Sequence, residues 1–246
     1  MRDKTALITG GAGGIGAAIA DVLADCKFRI VVLDSDFEGA GRIAARIKEK
    51  GTEALAVRAD VTQSEEIQNA IQQIFAKFDT IDILINNAGW TETHPFIEET
   101  EAYWDRVIDI NLKGTMMMSH AVLPNMIRSN QGRIVNISSE AGRVGVQLQA
   151  AYSAAKGGVI AFTKALAREI ARHNIFVNCV CPGQINTPLL HDQPERLIKR
   201  VTEAVPLRRV GEPFEIANAV AFFCSERASY ITGQALSVGG GITMVD

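Results

Sequence analysis

Residues 5–16 read TALITGGAGGIG, a short apolar run followed by a dense group of glycines. The apolar, β-branched run at 5–9 predicts a buried β-strand. The segment AAIADVLA at 17–24 is typical of a helix. A strand, a glycine-rich turn and a helix in this order predict the first unit of a doubly wound sheet, with a turn whose exposed N–H groups can approach a phosphate closely.

Six further apolar runs follow along the chain at intervals that leave room for helices. They are RIVVLD at 29–34, ALAV at 54–57, DILIN at 82–86, RIVNI at 133–137, FVNCV at 176–180 and ALSV at 235–238. Runs that are apolar on both faces are typical of a parallel sheet covered on both sides. The sequence therefore predicts an α/β protein, a Rossmann fold whose seven-stranded, doubly wound parallel sheet carries helices on both faces.

The length of the chain favours a single domain. With 246 residues, of which 47% are hydrophobic and 22% charged, residues 1–246 are expected to form one globular domain. The stretch 184–209 is the least regular, because Pro188, Pro194 and Pro206 interrupt it. We interpret 184–209 as a substrate flap.

Composition excludes several classes of partner. The 28 acidic and 25 basic side chains leave a net charge of −3, which argues against a nucleic-acid surface. No run reaches about 18 consecutive apolar residues, and the start resembles no signal peptide, so we predict a cytoplasmic protein with no membrane partner. The four cysteines lack CxxC spacing and the four histidines form no paired motif, so we expect reduced thiols and no metal site.

Asp34 closes the second predicted strand, 18 residues after Gly16. A carboxylate at this place can accept hydrogen bonds from the ribose hydroxyls of an adenosine. It would also repel a 2′-phosphate, by about 1 to 4 kcal/mol for like charges about 4 Å apart. The sequence therefore predicts NAD rather than NADP as cofactor. The alternative is that Asp34 is simply a solvated acid in a turn.

The segment YSAAK at 152–156 places Tyr152 and Lys156 four residues apart, on one face of a predicted helix. A neighbouring ammonium group favours phenolate and so lowers the pKa of a phenol. Such a tyrosine can exchange a proton with an alcohol or ketone while a cofactor exchanges hydride. The alternative is an ordinary solvated helix face.

These motifs stand in order with several others, which are Asp60, NNAG at 86–89, Asn111, the pair Ser138 and Ser139, and PG at 182–183. The set spans nearly the whole chain and resembles the short-chain dehydrogenase/reductase family. In that family the glycine signature is TGxxxGxG, which matches Thr9, Gly10, Gly14 and Gly16. The GxGxxG that also fits this loop is therefore coincidental.

The resemblance implies a catalytic tetrad of Asn111, Ser139, Tyr152 and Lys156. Tyr152 would be the general acid/base, and Lys156 would hold the nicotinamide ribose and lower the pKa of the phenol. Ser139 would orient the substrate oxygen, and Asn111 would position a water in a proton relay. Ser139 is preferred to Ser138 because it lies 13 residues before Tyr152, the usual family interval.

The resemblance also implies binding residues and a homotetramer. The expected cofactor-binding residues are Gly10, Gly14, Ile15, Gly16, Asp34, Asp60, Val61, Asn87, Ala88, Gly89, Tyr152, Lys156, Pro182, Gly183, Ile185 and Thr187. The expected substrate-binding residues are Trp90, Ser139, Gln149 and Tyr152. Asn86 is expected to tie strands together instead of binding a ligand.

Phrases such as RIVNISSEAGRVG and ITGQALSVGGGITM are similar to two groups within the family. One comprises NAD-dependent dehydrogenases of alicyclic hydroxyacyl-CoA degradation, such as 2-hydroxycyclohexanecarboxyl-CoA dehydrogenases. The other comprises 3-oxoacyl-[acyl carrier protein] reductases, which generally resemble NADPH users.

The main prediction is an NAD-dependent oxidoreductase that interconverts a secondary alcohol and a ketone, as an alicyclic or β-hydroxyacyl-CoA thioester. The alternatives are a 3-oxoacyl-[acyl carrier protein] reductase and, from another class, a non-catalytic dinucleotide-binding sensor. Arg143, Arg208 and Arg209 are either contacts for the phosphates of a carrier such as coenzyme A or simply solvated.

Overall fold

A computed structural model describes residues 4–187, 190 and 195–245. Within them, seven strands form one sheet in which every neighbouring pair is parallel, in the order β3-β2-β1-β4-β5-β6-β7. The strands are β1 Thr5–Thr9, β2 Arg29–Asp34, β3 Ala54–Arg58, β4 Ile83–Asn86, β5 Gly132–Ile137, β6 Ile175–Pro182 and β7 Ala235–Val238. The predicted seven-stranded parallel α/β fold is confirmed.

Helices connect the strands. Those of the described residues are α1 Gly14–Asp25, α2 Phe37–Glu49, α3 Ser64–Lys77, α4 Glu101–Ile108, α5 Gly114–Ser129, α6 Ala141–Val144, α7 Ala150–Ile170, α8 Glu195–Ala204 and α9 Pro213–Cys224. A π-helical turn, Asp109–Lys113, joins α4 to α5. Across the described part of the chain, no helix combines the length and apolar character that crossing a membrane requires.

The sheet has an apolar layer on each face, which explains why its strands are apolar throughout. In β1, Ala6 and Ile8 pack with α1, α2 and α9. Leu7 points to the other face and packs with α3, α5 and α7. Successive residues of a strand face opposite sides, so burial on both sides requires a continuous apolar run.

The strand order reverses at β1, because β2 lies on one side of it and β4 on the other. In open parallel sheets such a reversal leaves a crevice at the carboxyl ends of the strands. The glycine-rich loop follows β1, and the NNAG segment begins at the end of β4. The fold therefore brings these two motifs to the same edge of the sheet.

A chain of buried polar side chains crosses the middle of the molecule. Asn86 Nδ2 on β4 donates to Ser119 Oγ on α5 at 3.1 Å and to Asn136 Oδ1 on β5 at 2.8 Å. Asn136 Nδ2 in turn donates to Thr163 Oγ1 on α7 at 2.9 Å. The prediction that Asn86 ties strands together is confirmed.

We expect Asn86→Ala to lower the free energy of unfolding by about 1 to 3 kcal/mol, because Asn136 Oδ1 and Ser119 Oγ would lose their buried partner. Urea denaturation followed by circular dichroism measures the change. The matched control is Asn69→Ala, an exposed position in α3 where alanine favours the helix. Equal losses in the two variants would contradict the importance of this polar chain.

Candidate active site

The glycine-rich loop coils tightly between β1 and α1. Gly10 and Gly14 have φ angles of +62° and +53°, a region that glycine adopts at little cost. A Cβ atom at Gly16 would collide with the carbonyl oxygen of Gly10 and lie 2.6 Å from Asn87 Nδ2. The first turn of α1 therefore sits directly against the loop, where its N–H groups can receive an anion.

Asn87 braces this loop from the neighbouring strand. Its Nδ2 donates to Thr9 O at 3.1 Å and to Gly10 O at 2.8 Å. Thr9 Oγ1 accepts hydrogen bonds from the backbone N–H groups of Asn87 and Ala88 at 3.0 and 3.1 Å. No motif in the sequence reveals this brace, although Thr9 ends β1 and Asn87 directly follows the neighbouring strand β4.

A first cavity, of about 830 Å³, opens above this crevice. It brings together most of the expected cofactor residues, which are Gly10, Gly14, Ile15, Asp34, Asp60, Val61, Asn87, Ala88, Gly89 and Thr187. Gly16 does not line this cavity. It contacts Gly10, which does line the cavity, from the side away from the open space.

Asp34 is fixed at the edge of the first cavity. Its Oδ2 accepts a hydrogen bond from the backbone N–H of Ala12 at 2.9 Å, and its Oδ1 accepts one from Asp36 N at 3.0 Å. The side chain is therefore an ordered part of the glycine-rich loop and not merely a solvated turn acid. Asp60 is similarly ordered, because its Oδ1 accepts hydrogen bonds from the N–H and hydroxyl of Thr62 at 2.9 and 2.8 Å.

A second cavity, of about 520 Å³, adjoins the first. The two share Ile15, Asn87, Gly89, Trp90 and Thr187 as lining residues. The second cavity also contains the remaining expected residues except Asn111, which lines neither cavity; they are Ser139, Gln149, Tyr152, Lys156, Pro182, Gly183 and Ile185. The two cavities are therefore neighbours, with Asp34 lining the first and Tyr152 lining the second.

Tyr152 and Lys156 share a face of α7, as their spacing predicts. Lys156 is only 3% exposed, and its Nζ donates to Ile137 O on β5 at 2.9 Å. The same Nζ lies 5.6 Å from the ring centre of Tyr152. The ammonium group and the phenol thus lie close together at the inner wall of the second cavity.

The pKa values of this pair differ from the expectation. Burial raises the pKa of Tyr152 to about 12, and a hydrogen bond with Ser139 opposes the rise only in part. Burial lowers the pKa of Lys156 to about 8, against the effect of charge on Cys179 and Cys181. The prediction of a lowered phenol pKa is wrong for this geometry, because the loss of hydration on burial outweighs the effect of Ser139. At neutral pH Tyr152 keeps its proton.

The structure distinguishes the two serines after β5. Ser138 Oγ donates to the backbone oxygen of Lys156 at 2.8 Å and is buried, so it braces α7. Ser139 Oγ accepts from Ala141 N at 3.1 Å, and its side chain is near enough to Tyr152 to lower the pKa of the phenol. Ser139 is therefore the serine placed beside the phenol.

Asn111 lies in the π-helical turn and is fully buried. Its Nδ2 donates to Trp90 O and Val107 O at 2.7 and 2.9 Å, and its Oδ1 accepts from Trp90 N at 3.2 Å. A Cβ atom at Gly89 would lie 2.9 Å from Asn111 Oδ1 and 3.3 Å from Lys156 Nζ. Glycine at 89 therefore lets Asn111 and Lys156 approach the same backbone segment.

Trp90 forms a wall that borders both cavities. The guanidinium of Arg106 stacks 3.8 Å from the centre of its ring, and the Tyr103 ring packs at 5.7 Å. Sequence analysis missed these two partners, although their spacing of three residues on α4 places them on one helix face.

None of the three arginines considered as phosphate contacts lines either cavity. Arg143 donates to Ala235 O and Ser237 Oγ at 2.9 and 3.0 Å, and Arg208 donates to Glu203 O. Arg209 is exposed and forms a two-point ion pair with Glu215 at 2.7 Å. The structure therefore does not support the interpretation that they bind a carrier at these cavities.

The stretch 184–209 contributes Thr187, Leu190, Ile198 and Val201 to the second cavity. Its predicted breakers Pro188 and Pro194 lie outside the described residues, as do 189 and 191–193. Helix α8 and the bridge between Ile185 and Gly211 give its described part regular structure. Its role as a flap stays a prediction.

Known proteins resemble the chain over most or all of its length. Residues 4–197 match the short chain dehydrogenase family. The chain is similar to the 3-oxoacyl-[acyl-carrier-protein] reductase of Aquifex aeolicus, with 41% identity over 243 residues that cover 98% of both chains. It is also similar to the reductase of the same name from Staphylococcus epidermidis, with 40% identity over 243 residues that cover 98% of this chain and 100% of the relative. The reductase of Vibrio cholerae is 38% identical over 245 residues, 100% of this chain and 99% of its own. These names agree with the reductase alternative better than with the alicyclic dehydrogenase.

We expect Gly16→Ala to weaken binding of NADH by at least about tenfold and to destabilise the fold by about 1 to 3 kcal/mol, because the new methyl group displaces Gly10 and Asn87. Titration of NADH fluorescence and urea denaturation measure the two effects.

Gly41→Ala is the control, since a Cβ atom there meets no other atom within 4 Å and alanine favours helix α2. The control should bind NADH like the parent. A Gly16→Ala variant with parental affinity would show that this glycine does not shape the binding loop.

Proposed function

The chain belongs to the short-chain dehydrogenase family, and on this premise we propose that it interconverts 3-oxoacyl and 3-hydroxyacyl thioesters with NAD(H). As a member of the family it is an oxidoreductase that acts on CH–OH groups and binds a nicotinamide dinucleotide. The observation that carries the proposal is the phenol of Tyr152, beside Ser139 and Lys156, in a cavity that shares five lining residues with the first cavity.

The residues present fit a dinucleotide. Gly10 and Gly16 leave no room for a side chain in the loop, so the backbone itself offers N–H groups to the diphosphate. Asp34, held by the N–H of Ala12, is placed to accept hydrogen bonds from a ribose diol. When bound, the nicotinamide supplies or accepts the hydride.

In the reductive direction Tyr152 acts as the acid. Its raised pKa keeps the phenol protonated at neutral pH, so it can donate a proton to the carbonyl oxygen of the substrate as that oxygen gains negative charge. Ser139 is placed to orient the same oxygen. In the oxidative direction Tyr152 must first release its own proton to solvent and then accept the proton of the alcohol. The cation at Lys156 would stabilise the phenolate between these two transfers.

Lys156 and Asn111 are proposed to position the cofactor and a water molecule. Lys156 Nζ, fixed by Ile137 O, is proposed to hold the nicotinamide ribose. Asn111 holds the backbone of Trp90 through two hydrogen bonds, and we propose that it also positions the relay water. The two hydrogen bonds between Asn111 and Trp90 are observed directly, whereas the ribose and the water contacts are part of the proposal.

Asp34 supports NAD as the cofactor. A 2′-phosphate bound at the ribose would approach the ordered carboxylate, and the resulting repulsion costs about 1 to 4 kcal/mol. The 3-oxoacyl reductases generally resemble NADPH users, and Asp34 is the residue by which this chain would differ from them in cofactor. We therefore propose NAD(H) even though the similar proteins are named as reductases.

The second cavity supports a thioester substrate of modest size. Its lining includes Trp90, Val146, Leu148, Ile198 and Val201. These apolar walls suit an acyl chain. The alicyclic hydroxyacyl-CoA dehydrogenase is a second candidate, because the flat face of Trp90 also suits a ring. A non-catalytic sensor has less support, since both Tyr152 and Lys156 line the cavity.

We also propose a homotetramer in which residues 1–246 of each chain form one domain, as the family resemblance implies. A mass of one chain by light scattering at micromolar concentration would contradict the oligomer.

We expect Tyr152→Phe to lower kcat by about 10²- to 10⁴-fold, because the proton donor is removed, while NADH still binds. The assay follows NADH absorbance with 3-oxoacyl thioesters of coenzyme A and of acyl carrier protein, and with an alicyclic oxoacyl-CoA. Tyr230→Phe, at a fully exposed tyrosine, is the matched control. Near-parental turnover by Tyr152→Phe would refute the mechanism, and turnover confined to the alicyclic thioester would favour the second candidate.

The parent should use NAD(H) more efficiently than NADP(H), and Asp34→Asn should reduce the ratio of the two kcat/KM values by about tenfold or more. The amide keeps an acceptor for Ala12 N but removes the negative charge. Asp36→Asn, a neighbouring acid that caps α2, should leave the ratio unchanged. A parent that uses both cofactors equally well would overturn the assignment of NAD.

A further inference from the structure

Glu140 is a buried acid that follows Ser139 directly. Its side chain is only 6% exposed, and its Oε1 has no hydrogen-bond partner among the described residues. None of the roles assigned above uses it. A carboxyl group in this position, one residue from the serine that contacts Tyr152, requires an explanation.

The carboxyl group lies against two backbone segments at the carboxyl ends of β6 and β7. A Cβ atom at Gly239 would collide with Oε1, and one at Gly183 would lie 2.9 Å from Oε2. The backbone N–H of Glu140 donates to Pro182 O at 3.0 Å. Glu140 therefore packs directly against Pro182 and Gly183, the segment expected on the nicotinamide side.

The C-terminal tail, which we define as residues 243–245, lies close to the same side chain. Thr243 and Arg143 are near enough to the carboxyl group to lower its pKa, although burial raises the pKa by more. Arg143 Nη2 also donates to Val245 O at 2.8 Å. Glu140 and Arg143, at the start and within α6, thus fasten the tail to the turn that carries Ser139.

Stability alone does not account for this acid. Burial raises the pKa of Glu140, which shows that its surroundings disfavour the ionised form. A buried oxygen without a donor lowers stability, and an apolar side chain of similar size in such a place is often neutral or stabilising. The chain therefore carries a less stable residue at a position that connects three segments around the site.

We propose that Glu140 is a positioning residue, which joins the C-terminal tail to the Ser139 turn and to Pro182–Gly183 and so holds Ser139 Oγ at the substrate oxygen. The proposal rests on the proposed function in one respect, the role of Ser139 toward the carbonyl. Glu140 itself is separated from the reacting atoms and acts through its neighbours.

The decisive variant is Glu140→Met, which matches the size of the side chain and removes its polar contacts. We expect its urea midpoint to equal or exceed that of the parent, and its kcat to fall by about tenfold to a hundredfold, because a small displacement of an orienting group is costly. KM for the thioester should change less than kcat. Glu140→Gln, which keeps a hydrogen-bonding group, should recover most of the activity.

Two further variants distinguish a positioning role of Glu140 from an effect on the stability of the fold. Thr243→Val removes the contact from the tail side, and its kcat should fall in the same direction as that of Glu140→Met. Asp82→Asn alters another buried acid, one that accepts from Thr5 N at 2.8 Å at the opposite end of the sheet. It should lose stability and keep its kcat. Parental kcat in Glu140→Met, or a loss no greater than that of Asp82→Asn, would overturn the proposal.

Hydrogen–deuterium exchange gives a readout that needs no substrate. Glu140→Met should accelerate amide exchange in the C-terminal tail and in residues 139–144, and should weaken NADH binding through Gly183. Unchanged exchange and NADH affinity would overturn the inference. If the parent fails to turn over any 3-oxoacyl thioester, the proposed function fails, whereas these two measurements still decide the role of Glu140.

Discussion

The site depends on the contact between the loops that follow β1 and β4. Thr9 Oγ1 accepts two N–H groups from the β4 loop, and Asn87 Nδ2 returns two hydrogen bonds to the β1 loop. Gly16 permits this closeness, because any side chain there would collide with Gly10. The contact fixes the start of α1 on one side of the crevice and Gly89 with Trp90 on the other. Without it the two cavities would lose the wall that they share.

The chemistry follows from burial as much as from the identity of the residues. Tyr152 and Lys156 lie together, and burial raises the pKa of the phenol and lowers the pKa of the ammonium, so the phenol keeps its proton at neutral pH. This agrees with carbonyl reduction, the activity for which the similar proteins are named. Asp34, which accepts a hydrogen bond from Ala12 N at the edge of the first cavity, is the reason for proposing NAD(H) instead of NADP(H). The proposed function therefore combines the reaction of the similar reductases with NAD(H) as the cofactor.

Local periodicity was enough to predict the sheet and the pairing of Tyr152 with Lys156, because strand burial and helical spacing are properties of short segments. The pKa of Tyr152 was not predictable, since it depends on the segments that cover the phenol. Asn111 was expected at the site, but its π-helical turn leaves no mark in the sequence. The contact of Arg143 with Val245 spans 102 residues, and only the folded chain brings the two together.

Trp90 has a consequence beyond its role as a wall. It is one of only two tryptophans in the chain, and it alone of the pair lines the two cavities. Indole emission overlaps the absorption of reduced nicotinamide, and it responds to the polarity of the surroundings. The other indole, at Trp104, donates to Glu99 Oε2 at 2.7 Å and stacks on Phe96. We therefore expect the emission of Trp90 to change when a ligand fills either cavity, so that binding can be followed without an attached dye.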